Sequence, residues 1–196
     1  FNAYYLIFFG NIKKVLELEE VRYYLGIILF SIVVISCNIY SMCQGLFDTI
    51  TKSSFQVASI ITTAGFTTTD FDLWPKTSQI ILVMLMFVGA CAGSTGGGIK
   101  VSRFVILFKT IFKEFNSYIH PHSVKKIKMD GKSIEHDVIR SVNVHMITFI
   151  ALFAISVFII SFENLDLTTT FTAVATTINN VGPGLELVGP TRNFAD

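Results

Sequence analysis

Apolar and polar positions alternate along this chain in long blocks. Three apolar blocks without a charged residue lie at 23–47, 77–99 and 141–162. Each block is long enough for the roughly 20-residue helix that crosses a bilayer. Two further apolar segments, 55–61 and 167–178, are too short to cross. The pattern predicts an all-α integral membrane protein in which short re-entrant half-helices alternate with full spans.

Each short apolar segment is followed by a polar stretch centred on glycine. The first stretch is Thr62, Thr63, Ala64, Gly65 and Phe66, and the second is Asn179, Asn180, Val181, Gly182 and Pro183. Lipid cannot hydrogen-bond the peptide groups, so extended backbone at membrane depth must be buried in protein or line a watery cavity. We therefore predict that both stretches line a pore.

The order of elements occurs twice. Shifting the chain by 117 residues places Gly65 on Gly182, and Ala58 on Ala175. A span, a short helix and a polar turn follow one another in both copies. The sequence thus predicts one full membrane-pore-membrane repeat and most of a second.

The second apolar block is interrupted by a run rich in glycine. Its residues are Gly93, Ser94, Thr95, Gly96, Gly97 and Gly98, and Lys100 follows shortly after. Each glycine inside a helix costs about 1 kcal/mol relative to alanine, so we predict an unwound intramembrane loop that can obstruct or open a path. Close helix packing through Gly89 and Gly93 is the alternative. Lys100 and Arg103 either extend to the membrane interface or lie near the pore.

Composition and charge support the membrane assignment and orient the chain. With 52% hydrophobic and only 15% charged residues, the chain differs from an ordinary soluble domain. Twelve of the 15 Lys and Arg residues lie in 1–22 or 100–140, which the positive-inside rule places in the cytoplasm. The predicted divisions are a cytoplasmic linker at 1–22, a repeat with a broken second helix at 23–112, a cytoplasmic basic loop at 113–140, and a truncated second repeat at 141–196.

The candidate chemistry is ion coordination rather than catalysis. A run of backbone carbonyls can replace the hydration shell of a cation, and the C-terminal end of a half-helix adds about half a negative charge. The sequence contains no nucleophile–base pair, carboxylate dyad or nucleotide motif, so no enzymatic activity is predicted. His145 is expected to be a core residue or to form an interhelical hydrogen bond. A secondary transporter with a solute site at broken helices, a non-conducting membrane scaffold, and two simple glycine turns remain alternatives.

Three motifs together resemble the Trk/Ktr/HKT potassium uptake family, in its TrkH-type membrane subunits. They are the two glycine-centred stretches and the run Gly-Ala-Cys-Ala-Gly-Ser-Thr-Gly-Gly-Gly-Ile-Lys at 89–100. The resemblance covers nearly the whole chain, and the glycine run followed by Ile-Lys is its most specific part. Family members hold four repeats around one pore, so this chain resembles a C-terminal fragment containing the third repeat and part of the fourth. Such a fragment is not expected to close a pore alone.

The resemblance also implies an ion, a location and partners. Residues 62–66 and 179–183 would form the selectivity filter for K⁺, the transported ion, and 93–100 would form the gating loop. No bound cofactor and no nucleic acid are implied. The family suggests a homodimer in the bacterial inner membrane, associated with a cytosolic nucleotide-binding regulatory ring that faces the basic loop.

Overall fold

The computed structural model describes residues 12–119 and 126–192, and most of them are helical. Residues 1–11, 120–125 and 193–196, which belong to the predicted linker, basic loop and second repeat, lie outside this description. The helices are α1 Ile12–Glu17, α2 Glu19–Ile39, α3 Leu46–Ile61, α4 Lys76–Phe87, α5 Val101–Ile119, α6 His136–Ile160 and α7 Leu167–Ile178. Two-residue strands form two pairs, a parallel pair of β1 Val88–Gly89 with β2 Ile99–Lys100 and an antiparallel pair of β3 Lys128–Met129 with β4 Lys132–Ser133.

Two helical segments in the described part are long and apolar enough to cross a membrane. They are Glu19–Met42 and His136–Glu163, which contain α2 and α6. Lys76–Phe87 and Leu167–Ile178 are shorter apolar helices. The predicted block at 141–162 therefore corresponds to a helix, and the block at 23–47 corresponds to one as far as Met42. The block at 77–99 is not one continuous span.

The helix break begins earlier than the sequence predicted. Helix α4 ends at Phe87, and the chain becomes helical again only at Val101. Between them, β1 pairs with β2 and closes the base of a loop. A Cβ on Gly89 would lie closer than 3.0 Å to the Gly97 carbonyl oxygen, and Gly98 has a φ of +70°. Only glycine allows this approach of two backbones, so the helix stops before the glycine run is reached.

Helix α3 is longer than the apolar segment at 55–61. It begins at Leu46 and has 16 residues, still fewer than the roughly 20 that a full span needs. Its polar first half remains helical because Thr49 and Thr51 donate their hydroxyls to carbonyls one turn earlier, each at 2.8 Å. Polar residues that bond to their own helix do not end it.

The described parts of the basic region contain helices and a hairpin, which the predicted loop did not include. Helix α5 continues to Ile119, the β3–β4 hairpin occupies Lys128–Ser133, and α6 begins at His136. In the predicted linker, the described residues form α1, the connecting Leu18 and the first turn of α2. These boundaries differ from prediction because charged, amphipathic helix ends look like polar loops in a hydrophobicity pattern.

One hydrophobic core joins α2, α3 and α4 to the second glycine-centred stretch. Its members are Ile35, Ile39, Val57, Ile60, Ile61, Phe71, Trp74, Leu82, Leu85, Met86, Ala175, Val181 and Leu185. Because α3 and the residues around Val181 share this core, both polar stretches are fixed relative to each other.

A second core joins α5 to α6. It contains Ile99, Ile106, Val142 and Met146. Beside it, Arg103 donates a hydrogen bond to the Nε2 of His145 at 2.7 Å. The predicted interhelical role of His145 is confirmed, and Arg103 is directed to α6.

Candidate functional site

The two short helices end in the same backbone motif. After α3, the amides of Thr63 and Ala64 bond back into the last turn, and after α7 those of Asn180 and Val181 do the same. The bonds are Thr63 N to Ile60 O, Ala64 N to Ser59 O, Asn180 N to Thr177 O and Val181 N to Thr176 O. This is the Schellman pattern, with its left-handed residue at Thr63 (φ 58°) and Asn180 (φ 55°). The two helix ends therefore match residue for residue at an offset of 117.

The stretches that follow these motifs lie against each other. Gly65 has a φ of +74°, and a Cβ added to it would lie closer than 3.0 Å to the carbonyl oxygen of Val181. A Cβ on Gly182 would be 3.9 Å from the Cα of Gly65. The structure thus brings together two glycines that the sequence separates by more than half the chain.

Hydroxyl groups that the sequence did not identify hold both stretches in place. Ser59 donates to the carbonyl of Phe66 at 2.5 Å. Thr172 accepts from the backbone N–H of Leu185 at 3.2 Å. Both lie on the buried side of a short helix, and Ser or Thr at a buried helix position near a non-helical stretch was the signal available in the sequence.

Two carboxylates connect the segments that follow the two stretches in the chain. Asp72 accepts from the backbone N–H of Glu186 at 3.2 and 3.1 Å through its two oxygens. Asp70 accepts from the Thr191 hydroxyl at 2.9 Å. Sequence reasoning gave these residues no role in the site, because nothing local indicates a partner more than 100 residues away.

Replacing Asp72 with alanine is expected to destabilise the fold. Glu186 has a φ of +56°, and its amide would lose a charged acceptor, which costs roughly 1.5–3 kcal/mol in the free energy of unfolding. The measurement is the thermal unfolding midpoint of the purified protein in detergent. Asp48→Ala is the matched control, because within the described residues Asp48 bonds only locally, to Lys52 in α3 and to the backbone N–H of Gln44. An equal midpoint for the two variants would contradict the bridging role.

The glycine-rich loop touches both stretches where they leave their helices. The Gly97 N–H donates to the Thr63 hydroxyl at 3.1 Å. A Cβ on Gly97 would overlap the carbonyl oxygen of Asn179, and one on Gly96 would lie 3.3 Å from the carbonyl oxygen of Thr62. The three groups that the sequence singled out therefore meet at one place.

Lys100 folds back into the loop. Its ammonium donates to the carbonyl and hydroxyl oxygens of Ser94, both at 3.0 Å, and to the carbonyl of Gly96. These bonds join Lys100 to the glycine-rich loop, whose Gly96 lies next to the Thr62 carbonyl. The Lys100 ammonium thus connects Ser94 and Gly96 of the loop to the start of α5.

Asn179 carries an unused acceptor at this meeting point. The side chain is fully buried, and its Nδ2 donates to the Ala175 carbonyl at 2.8 Å. Its Oδ1 has no hydrogen-bond partner in the described part of the chain. A buried acceptor without a donor is typical of a place that binds water or an ion.

Electrostatics along α7 favour a cation at its C-terminal end. At the other end, Asp166 caps the helix by accepting from the Thr168 N–H at 2.9 Å. That hydrogen bond lowers the pKa of the Asp166 carboxyl below its ordinary value, so Asp166 is ionised at neutral pH. The aligned peptide dipoles of the helix place partial negative charge at its C-terminus, and this end reaches Asn179 and the glycine-rich loop. Within residues 12–119 and 126–192, no group of three or more His, Cys, Asp or Glu side chains could hold a metal ion.

Comparisons with known proteins agree on one family. Residues 21–193 match the family model described as "TrkH: Cation transport protein". The Trk system potassium uptake protein TrkH of Salmonella typhimurium is 34% identical over 180 residues, which are 90% of this chain and 36% of that protein. TrkH of Escherichia coli K12 is 36% identical over 86% of this chain and 35% of its own length. This chain thus spans about a third of the length of these relatives.

A solved structure matches the fold. The crystal structure of the potassium transporter TrkH from Vibrio parahaemolyticus superposes with a TM-score of 0.89 at 31% sequence identity. The match covers 100% of this chain and 42% of that one. The helical architecture is therefore that of a membrane transporter of known structure.

Proposed function

Because this chain belongs to the TrkH family of cation transport proteins, we propose that it forms part of a membrane subunit that carries potassium ions across the bilayer. The resemblance found in the sequence is confirmed at the level of the family. The relatives are named as potassium uptake proteins, which agrees with a non-enzymatic role. K⁺ is the transported ion in this proposal, and no cofactor takes part.

One observation carries the proposal: the two glycine-centred stretches contact each other at the C-terminal ends of two short helices. Gly65 lies against the Val181 carbonyl, and both helices end in the same hydrogen-bond pattern. Adjacent extended backbones supply carbonyl oxygens in place of a hydration shell. Residues 62–66 and 179–183 are therefore the proposed selectivity filter.

The same geometry supports a membrane-pore-membrane arrangement. In this proposal α2 spans the membrane, α3 enters and stops, and α4 with α5 forms the broken return helix. Helices α6 and α7 begin the next repeat. The identical helix ends at an offset of 117 residues, and the 16- and 12-residue lengths of α3 and α7, support this assignment.

The glycine-rich loop is the proposed gate. It packs against Thr63 and Asn179, so an ion leaving the filter on this side meets the loop first. Glycine makes the loop mobile, and Lys100 ties it closed. Passage then requires the loop to leave its contacts with the two stretches.

Removing the Lys100 ammonium is expected to loosen this gate. Lys100→Met has a side chain of similar length but lacks the ammonium and its three hydrogen bonds to the loop. We expect this loss to raise basal potassium flux about tenfold. Lys100→Arg retains a charged donor and is expected to stay near the wild-type flux. The measurement is ⁸⁶Rb⁺ uptake into proteoliposomes that contain the full-length protein. Flux in Lys100→Met at or below the wild-type level would contradict the closed-loop role.

Location and partners follow as further parts of the proposal. The cluster of Lys and Arg in 1–22 and 100–140 supports a cytoplasmic position for those segments, in the bacterial inner membrane. On the family resemblance of the sequence, we further propose a homodimer with a cytosolic nucleotide-binding ring on that side. The β3–β4 hairpin, Lys128–Ser133, belongs to the proposed cytoplasmic surface.

Growth at low external potassium tests the proposed function. The full-length gene product is expressed in a bacterial strain that lacks its own potassium uptake systems, and growth and ⁸⁶Rb⁺ uptake are measured. We expect uptake that depends on the protein and is unaffected by organic solutes. Uptake of a saturable organic solute without potassium flux would favour a secondary transporter, and no flux of either kind would favour a scaffold.

A further inference from the structure

Glu20 holds both ends of the glycine-rich loop with one carboxylate. Its Oε1 accepts from the backbone N–H of Ala92 at 2.6 Å and from that of Ser102 at 3.2 Å. Ala92 immediately precedes Gly93, and Ser102 is the second residue of α5. The loop is thereby closed onto α2, an element that lies more than 70 residues earlier in the chain.

The start of α5 needs an acceptor from elsewhere. The first amides of a helix have no intrahelical partner, and the first turn of α5 contains no acidic residue. Arg103 adds a positive charge to that turn. A carboxylate at this helix end receives charge-assisted hydrogen bonds and lies favourably in the helix dipole, so Glu20 is a strong anchor.

The turn that carries Glu20 is itself fixed. The neighbouring Glu19 forms an ion pair with Lys109 of α5. The backbone N–H of Glu19 donates to Asp130 in the β3–β4 hairpin at 2.8 Å. These contacts fix the first turn of α2, which carries Glu20. The loop therefore moves away only when its hydrogen bonds to Glu20 break.

We propose that Glu20 is a positioning residue that keeps the glycine-rich loop beneath the two stretches. The proposal rests on the proposed function, in which this loop closes the cation path. Glu20 contacts neither the ion nor the filter. It acts through the two ends of the loop, and losing it makes the open arrangement easier to reach.

Three variants separate hydrogen bonding from charge. Glu20→Ala removes the acceptor, and Glu20→Gln removes the charge but keeps an acceptor oxygen. Glu17→Ala is the control, because Glu17 is exposed at the end of α1 and forms no hydrogen bond or ion pair within the described residues. It removes the same charge from the same region.

Amide hydrogen exchange in the full-length protein measures how often the two ends of the loop leave Glu20. In Glu20→Ala, the amides of Ala92 and Ser102 are expected to exchange about tenfold faster than in the wild type. In Glu20→Gln, which keeps an acceptor oxygen but loses the charge, the increase is expected to be smaller, about threefold, and in Glu17→Ala exchange is expected to stay within about twofold. Basal ⁸⁶Rb⁺ flux is expected to rise most in Glu20→Ala, less in Glu20→Gln and not in Glu17→Ala, with the preference for potassium over sodium unchanged.

Two results would overturn the proposal. Unchanged exchange in Glu20→Ala would show that Glu20 does not hold the loop, and faster exchange with wild-type flux would show that its hold has no part in ion passage. If Glu20→Ala does not fold, Glu20→Asp tests the same bonds, because its shorter side chain cannot reach both amides and exchange should again rise. If the filter assignment is wrong, Gly65→Ala retains its potassium flux. That result is independent of the hydrogen-exchange result for Glu20.

Discussion

Replacing Gly65 with alanine in the full-length protein is expected to lower potassium flux about 100-fold, the equivalent of roughly 3 kcal/mol of strain. Gly65 has a φ of +74°, and a Cβ there would overlap the Val181 carbonyl oxygen. Val181 is 3% exposed and lies in the core that joins α3 and α4 to the second stretch, so it cannot retreat. The backbone of the two stretches, which is the proposed selectivity filter, must therefore distort.

Gly26→Ala is the matched control for this substitution. Gly26 lies within α2, and a Cβ there would meet nothing within 4 Å. Alanine in a helix interior is about 1 kcal/mol more favourable than glycine, so flux should be unchanged. Initial rates of ⁸⁶Rb⁺ uptake, normalised to the amount of protein in the membrane, compare the two variants. Equal flux in both would remove the filter assignment and favour a scaffold role.

Replacing Gly97 with alanine is expected to have the opposite effect and to raise basal potassium flux about tenfold or more. The added methyl group destabilises the packing of the glycine-rich loop against Asn179 by more than about 1 kcal/mol. A Cβ on Gly97 would overlap the Asn179 carbonyl oxygen. Asn179 is fully buried, and its amide and side chain both bond to Ala175. The loop is half-buried and is held by hydrogen bonds to Lys100 and Glu20 rather than by a helix and a core, so the loop gives way and leaves its contacts with the two stretches.

Gly96→Ala provides a graded comparison with Gly97→Ala. A Cβ on Gly96 would be 3.3 Å from the Thr62 carbonyl oxygen, a contact that a small shift relieves. Its flux should therefore lie between those of the wild type and Gly97→Ala. Potassium conductance of the full-length protein in planar bilayers measures all three. Reduced conductance in Gly97→Ala would mean that the filter yields instead of the loop, which contradicts the proposed gate.

Helix boundaries show how far local patterns reach. The segment 167–178 coincides with α7, because an apolar run bounded by Asp166 and Asn179 has clear start and stop signals. The start of α3 was placed nine residues late, because Thr49 and Thr51 look like loop residues although their hydroxyls bond within the helix. The end of α4 was placed five residues late, since its helix stops where Gly89 meets Gly97 in space.

The sequence by itself determined the class of protein, the order of its elements, the two glycine-centred stretches and the glycine-rich interruption. These are local properties, because hydrophobic length and glycine content act on the backbone where they occur. Only the tertiary structure decided which groups meet: Gly65 with Val181, Gly97 with Asn179, and Lys100 and Glu20 with the loop. Such contacts depend on how α2, α3, α4 and α7 pack around a shared core, and a polar side chain carries no local sign of the partner that this packing brings to it.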